Sequence, residues 1–200
     1  MHVYILFAHP SKNSFSRAVL DAFIRGLREA GHSYETGELY KMNFNSEMDS
    51  VQYEREVCLD PEAPVPQDVK LEQEKIDKAD ALAFIYPVWW SDCPAKLKGW
   101  FDRVFTHGYA YFYDNSDKIN ARRTRIKIKK AVVICSAGHT VEHLEETGIA
   151  EAMRRIMLND RLLGIGVKEA KMVILGGMMP GDLTYRKRNL DTAYDIGREF

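Results

Sequence analysis

An aromatic segment contains the residue types of this 200-residue chain that most directly suggest chemistry. Residues 86–113 read YPVWWSDCPAKLKGWFDRVFTHGYAYFY and follow the short apolar run 81–85, which predicts a buried strand. Trp89 and Trp90 therefore lie at the carboxyl end of that strand, ahead of a helix and a tyrosine-rich loop. Because ligands of open α/β sheets bind beyond the carboxyl ends of the strands, the segment predicts a flat aromatic surface for a planar ring system.

The elements that must position this segment are apolar runs that alternate with helical patterns. Such alternation predicts a parallel sheet with helices on both faces, and right-handed crossovers leave few topologies. We expect a flavodoxin-like, doubly wound α/β fold with a five-stranded parallel sheet of order 2-1-3-4-5, in one domain over residues 1–200. The predicted strands are 3–8, 33–39, 81–86, 131–136 and 172–175, and the predicted helices are 15–27, 67–78 and 183–199, with a shorter helical stretch near 51–57.

Three loops follow the first, third and fourth predicted strands, so they should converge at one edge of the sheet. The first loop, residues 9–16, opens a helix near Ser14, and the unpaired N–H groups of a helix start suit a phosphate. His9 and Lys12 can add charge. Further hydrogen bonds can come from Ser11, Asn13, Ser14 and Ser16. The alternative is that Ser14 serves only as the helix N-cap.

The second and third loops suit the ring of a flavin. Backbone groups of residues 87–90 can pair with the polar edge of an isoalloxazine, and Trp89 can stack on its face. The alternative is that Trp89 and Trp90 are core residues. In the third loop, residues 137–141, Gly138 permits close approach of the backbone, whose amides can stabilise negative charge on a reduced flavin. An ordinary strand-to-helix turn is the alternative there.

Composition argues against several other classes of protein. The formal net charge of −1 disfavours a nucleic-acid or membrane-surface partner. No apolar run approaches the ~20 residues that span a bilayer, and the N-terminus has no secretory pattern, so we expect no membrane insertion. Three scattered cysteines without a CxxC motif favour a reducing compartment, and we expect a cytoplasmic protein.

Motifs of other chemistries are missing or incomplete. His139 and His143 have the spacing of helical metal ligands, but no third ligand is apparent, so we expect no metal site. The chain has no GxGxxG motif for a Rossmann dinucleotide site and no GxSxG motif for a hydrolase.

Three segments resemble the NAD(P)H:quinone oxidoreductases of flavodoxin-like fold, the group of DT-diaphorase and its bacterial relatives. They are AHPSKNSFSRAV at 8–19, LYKMNFN at 39–45, and PVWWSDCPAKLKGWFDRVF at 87–105 with YAYFY at 109–113. The resemblance spans nearly the whole chain. It implies tightly bound FAD, or FMN as in some members, with NAD(P)H as co-substrate, a quinone-like acceptor, and a homodimer with the active site at its interface.

The resemblance also implies roles for individual residues. The phosphate and ribityl contacts match His9, Phe15 and Ser16. The isoalloxazine loop matches Pro87, Val88, Trp89 and Trp90, and the second flavin loop matches Ser136, Ala137, Gly138 and His139. Tyr111 and Tyr113 match tyrosines that gate the substrate cleft from the partner subunit. The chain departs from the family at Leu144 and Ala150, where mammalian-type enzymes have a tyrosine and a histidine. Stabilisation of the negative charge on the reduced flavin would then come from the backbone amides of Gly138 and His139, or from the His139 side chain.

These features together predict a flavin-dependent NAD(P)H oxidoreductase that reduces quinones or similar planar acceptors by two-electron ping-pong hydride transfer. NAD(P)H and then the acceptor would stack beside Trp89 and Tyr111. One alternative is an electron carrier of the flavodoxin type, although the chain lacks a strongly acidic surface and a TxTGxT loop. The other alternative is a regulatory flavoprotein subunit of a transporter.

Overall fold

The sheet of the computed structural model contains the five predicted strands. The structure describes residues 1–60, 62–113, 122–178 and 183–200. All strands of this sheet are parallel and lie in the order β2-β1-β3-β4-β5 when they are numbered along the chain, which confirms the predicted order. They are β1 His2–Phe7, β2 Ser33–Glu38, β3 Ala81–Pro87, β4 Lys130–Ser136 and β5 Glu169–Leu175.

Helices flank the sheet, and the predicted ones are present. They are α1 Phe15–Glu29, α2 Ser50–Cys58, α3 Gln67–Lys78, α4 Ala95–Val104, α5 Val141–Glu146, α6 Ile149–Arg154 and α7 Leu183–Arg198. The sequence did not predict the π-helix Arg155–Asp160 or the 3-10 helix Leu163–Ile165 that follow α6. A short antiparallel ladder, also unpredicted, pairs Phe112–Tyr113 with Arg122–Arg123. None of the helices in the described ranges is long and apolar enough to cross a membrane.

The central strands are apolar along their length because both of their faces are covered. Val3 and Ile5 of β1 pack in one buried cluster with residues of α1 and α7, whereas Tyr4 and Leu6 pack in the other with residues of α3 and α4. Successive side chains of a strand point to opposite faces, which explains this division. The mixed polarity of β2 agrees with its place at the edge of the sheet.

The residues that flank α1 explain where the helix begins and ends. Ser14 is the N-cap, and its Oγ accepts a hydrogen bond from the N–H of Arg17 at 3.1 Å. Gly31 comes just after the helix with a φ of 74°, in the left-handed region that favours glycine. These two residues fix the direction in which the chain leaves β1 and returns to β2.

A buried carboxylate joins α3 to the sheet. Glu72 is fully buried, and its Oε2 accepts hydrogen bonds from the hydroxyl of Tyr4 at 2.5 Å and the indole N–H of Trp100 at 2.7 Å. Lys75 completes the group at 2.6 Å from Oε1. Part of the polar character of α3 is therefore internal, because Glu72 and Gln73 are buried.

The excursion between β2 and α3, residues 42–66, folds against α4. Arg103, 2% exposed, donates to the carbonyl of Asn45 at 2.7 Å and to Oε1 of Gln52 at 2.8 Å, and it pairs with Asp68. The amide of Gln52 returns a hydrogen bond to the carbonyl of Arg103. This buried arginine holds α2 in place, although the excursion has no sequence periodicity of its own.

Candidate active site

Contacts at the carboxyl edge of the sheet join the three predicted loops. The hydroxyl of Ser16, the last residue of the first loop, lies 3.1 Å from that of Ser136, which ends β4 just before the third loop. The N–H of Val88, in the second loop, donates to the carbonyl of Ser136 at 2.8 Å. The rings of His9 and Trp89 meet edge to face, with centroids 6.0 Å apart. The loops therefore form one site, as their positions after β1, β3 and β4 predict.

The first loop has a fixed shape. Nδ1 of His9 accepts the N–H of Ser11 at 3.0 Å, and Oγ of Ser11 accepts the N–H of Asn13 at 3.2 Å. Burial lowers the pKa of His9, which favours the neutral ring that can accept this bond. Ser16 is buried and its hydroxyl bonds that of Ser136, which links the first loop to the end of β4. Phe15 is half-buried beneath the guanidinium of Arg186, 5.0 Å from its ring centroid.

A cavity of about 780 Å³ lies beside the first loop. Its lining is His9, Pro10, Ser11, Lys12, Asn13, Arg17, Glu38, Tyr40 and Lys41. Arg17 pairs with Glu38 and stacks over Phe7, yet its Nε is buried without a hydrogen-bond partner among the described residues. Hydroxyls, cations and a helix start surround the cavity, which is the chemistry that a phosphate requires.

The second loop makes a tight turn that exposes both tryptophans. Trp89 and Asp92 exchange backbone hydrogen bonds of 3.0 and 3.2 Å, and the two residues between them, Trp90 and Ser91, have φ of 51° and 65°. Trp89 is 42% exposed and Trp90 fully exposed, so neither is a core residue. The N–H groups of Val88 and Trp89 are used inside the protein. These two N–H groups therefore cannot also pair with the polar edge of an isoalloxazine, and other groups of the site would have to do so.

An ion pair holds the last residue of this turn. Both Oδ atoms of Asp92 accept hydrogen bonds of 3.0 Å from Arg161, and Oδ1 also accepts the N–H of Cys93 at 2.7 Å. Burial alone would raise the pKa of Asp92, but the hydrogen bonds from Arg161 and Cys93 lower it below its usual value. Burial raises the pKa of the Cys93 thiol to about 12, so this cysteine is a neutral packing residue.

The third loop presents its backbone to the outside. Gly138 and His139 are exposed, and their N–H groups have no acceptor in the part of the chain that the structure describes. The carbonyl of His139 accepts the N–H of Gly177 at 2.8 Å, which ties the loop to the end of β5. Leu144 and Ala150, the two positions that depart from the resembled family, are buried and belong to the core.

His139 lies before the start of α5 and His143 lies within it, so the two residues are not both on the helix. Their rings stack with centroids 4.6 Å apart. Over the described ranges, no group of three or more histidine, cysteine or acidic residues is arranged to hold a metal ion.

The two tyrosines predicted to bind substrate lie after α4. The hydroxyl of Tyr111 is 3.4 Å from Oε2 of Glu56, and its ring meets that of His107 edge to face at 5.5 Å. Tyr111 also lines a cavity of about 370 Å³ together with Phe101, Phe105 and Arg161. Tyr113 belongs to the short ladder, and its side chain lies outside the described residues.

Sequence reasoning missed two parts of this site. Arg17 and Glu38 form a charged wall beside the first loop, and Arg161 supports the second loop from 69 positions away. Arg17 could have been found from its place one turn after the N-cap. Arg161 had no local signal, because its role depends on a long-range ion pair with Asp92.

The sheet and its flanking helices define a doubly wound α/β protein, and the three loops meet at the carboxyl edge, where sheets of this class bind their ligands. Residues 1–195 match the model of a family described as having a flavodoxin-like fold, and the chain belongs to that family.

The chain is similar to three proteins over different lengths. A Haemophilus influenzae protein named as an uncharacterized NAD(P)H oxidoreductase is 29% identical over 194 residues, which cover 96% of this chain and 92% of the relative. NAD(P)H dehydrogenase (quinone) 1 of Cavia porcellus is 36% identical over 122 residues, 54% of this chain and 44% of the relative. The solved structure of NAD(P)H:quinone oxidoreductase from Methanothermobacter marburgensis is 64% identical, with a TM-score of 0.94, and covers 100% of this chain and 96% of that chain.

Proposed function

We propose that this protein is a flavin-dependent NAD(P)H oxidoreductase that reduces quinones or similar planar acceptors by two-electron ping-pong hydride transfer. The observation that carries the proposal is the meeting of three loops of different chemistry at one edge of the sheet. One loop suits a phosphate, one presents tryptophans, and one presents backbone N–H groups. The 64% identity to an NAD(P)H:quinone oxidoreductase over the full length of this chain supports the same function.

The residues present fit a flavin nucleotide. The start of α1 and the hydroxyls of Ser11 and Ser14 would hold its phosphate, and the buried, unpartnered Nε of Arg17 supplies a further donor at that wall. Trp89 is exposed beside His9, where a ring can stack on it. The backbone N–H groups of Gly138 and His139, one from each residue, would donate to the polar ring edge.

A bound flavin would supply the hydride chemistry, and the protein's own residues would orient the two substrates and exclude water from the site. Trp89 and Trp90 present flat surfaces against which a nicotinamide and then an acceptor would lie. Because the amides of Gly138 and His139 are oriented before reaction, they stabilise negative charge at the ring edge without reorganisation. No side chain has to exchange a proton with the acceptor in this scheme.

We further propose FAD as the resident flavin. The cavity of about 780 Å³ continues from the first loop to Tyr40 and Lys41, which gives space, an aromatic wall and a cation for an adenosine diphosphate beyond the ribityl chain. FMN would leave that region empty. Mass spectrometry of the cofactor released from the purified protein tests the choice, and a mass for FMN alone would contradict it.

We also propose a homodimer in a reducing compartment such as the cytoplasm. The exposed face of α2 carries Val51, Tyr53 and Val57, which are 76%, 61% and 60% exposed, and Trp90 projects from the second loop. Tyr111 and Tyr113 would reach the partner's site in such a dimer. Cys58, Cys93 and Cys135 are all free thiols, as expected in a reducing environment. Sedimentation of the purified protein as a monomer would contradict the dimer.

Two-substrate kinetics test the proposed reaction. Initial rates measured with NADPH and a simple benzoquinone should give parallel double-reciprocal lines, because both substrates would use one site in turn. Intersecting lines would contradict a shared site. A protein that binds flavin but reduces no quinone with either NADH or NADPH would contradict the enzymatic function.

A further inference from the structure

The turn at residues 89–92 has a backbone conformation that its sequence does not favour. Trp90 and Ser91 both lie in the left-handed region, with φ of 51° and 65°. Two-residue turns of this kind prefer Asn-Gly or Asp-Gly, because side chains larger than these crowd the backbone at positive φ. Such conformations persist where the surroundings over-determine them, and they are concentrated at functional sites. The support for this turn therefore requires an explanation.

That support is the fork between Asp92 and Arg161. The two guanidinium nitrogens Nη1 and Nη2 lie 3.0 Å from Oδ1 and Oδ2 of Asp92, a bidentate geometry. The side chain of Arg161 is only 10% exposed, and its guanidinium lies 5.3 Å from the ring centroid of Phe101. Nη1 also lies 3.6 Å from the sulfur of Cys93. The pair therefore joins the closing residue of the turn to the packed side of α4.

Arg161 lies in an irregular part of the chain. It follows the π-helix Arg155–Asp160 directly, and its backbone N–H donates to the carbonyl of Ile156 at 3.2 Å. π-Helical turns are uncommon and recur at functional sites. Arg155, at the other end of this π-helix, has the same side chain, but it is 72% exposed and pairs with Glu151 on the surface. The irregular turn thus separates a surface arginine from one that supports the site.

We propose that Arg161 is a positioning residue, which acts through Asp92 to hold Trp89 and Trp90 in the orientation that binds the planar substrates. This inference rests on the proposed function. Arg161 would touch neither flavin nor substrate. Its two parallel hydrogen bonds define the plane of the Asp92 carboxylate, and a lysine cannot reproduce that geometry because it offers a single charged centre. Position 161 therefore requires an arginine, because the bidentate pair with Asp92 needs both guanidinium nitrogens.

Kinetic comparison of three variants tests the positioning role. In R161M, the KM for benzoquinone should rise about tenfold, the equivalent of about 1.4 kcal/mol in binding, whereas kcat should change much less. D92N should show the same split, and the double variant should be no worse than either single variant because one interaction is lost. R161K should resemble R161M. The matched control is R155M, which should leave both constants at the wild-type values.

Fluorescence of the flavin-free protein gives a second readout that does not depend on activity. Trp100 is buried, whereas Trp89 and Trp90 are exposed, so acrylamide quenching and fast depolarisation report mainly on the turn. R161M and D92N should both raise the quenching constant and the fast depolarising amplitude, and R155M should change neither. If R161M fails to fold, D92N and R161K carry the test.

The outcomes separate this inference from the function on which it rests. A wild-type protein that binds no flavin would overturn the proposed function. Unchanged KM and unchanged depolarisation in folded D92N and R161K would overturn the positioning role alone. A lower melting temperature in these variants without either change would assign the ion pair to stability only. Full retention of wild-type behaviour in R161K would refute the requirement for a fork.

Discussion

Removal of the Trp89 ring should weaken ligand binding and leave the fold intact. The ring is 42% exposed, lies in neither core cluster, and meets only His9 among the aromatic rings described. A stacked aromatic contact contributes about 0.5–1.5 kcal/mol beyond area burial. W89A should therefore bind flavin or the planar acceptor about twofold to about twelvefold more weakly, by the rule of tenfold per 1.4 kcal/mol.

The assay for W89A measures binding and folding separately. Titration of the flavin-free protein with FAD, followed by flavin fluorescence, gives the dissociation constant, and initial rates give KM for benzoquinone. Urea unfolding of the same preparation gives its stability. W89F is the matched control, because it keeps a ring at this position and should recover most of the affinity.

Two results would refute the reasoning about Trp89. Truncation of a buried aromatic residue costs about 3–5 kcal/mol, so a loss of that size in W89A would show that the ring is part of the core. Unchanged dissociation constant and unchanged KM in a folded W89A would show that neither flavin nor acceptor stacks on it.

Three further changes have defined outcomes. G138V should reduce flavin content with little change in urea unfolding, because the new side chain blocks an exposed backbone; full flavin content would refute this placement of the loop. Burial lowers the pKa of His9, so its contribution to the stability of the flavin-free protein is present above about pH 6.5 and is lost as pH falls through the folded pKa. The pH dependence of the unfolding free energy, measured with urea, should therefore be weaker in H9N, and an identical pH dependence would contradict this role of His9. Y4F leaves the buried Glu72 with one donor fewer and should cost about 1–3 kcal/mol in urea unfolding, whereas an unchanged midpoint would contradict the network.

The sequence predicts the sheet well because its central strands are covered on both faces. Residues 81–86 and 131–136 are continuous apolar runs, and alternation with helices then restricts the strand order. The sequence predicts the start of β5 at residue 172, whereas the strand begins at Glu169, because the polar residues at its beginning hide the apolar pattern. The excursion at residues 42–66 lacks a periodic apolar pattern: hydrogen bonds from Arg103 hold it, together with the buried side chain of Phe44.

The loops of the site could be placed from the sequence, but their internal support could not. Each loop follows a strand that the sequence reveals, so its position at the carboxyl edge follows from the fold. The use of the Val88 N–H by Ser136, and the fork between Asp92 and Arg161, join residues that are distant in the chain. Such contacts leave no local pattern, and they change which groups remain for a ligand.

The most direct test of the central claim is the visible absorption spectrum of the purified protein before and after anaerobic addition of NADPH. The account predicts a yellow protein whose flavin bands bleach on addition and return when a quinone is supplied. A yellow protein that does not bleach with NADPH or NADH would contradict hydride acceptance. A protein that stays colourless after incubation with FAD and with FMN would contradict the flavin site itself.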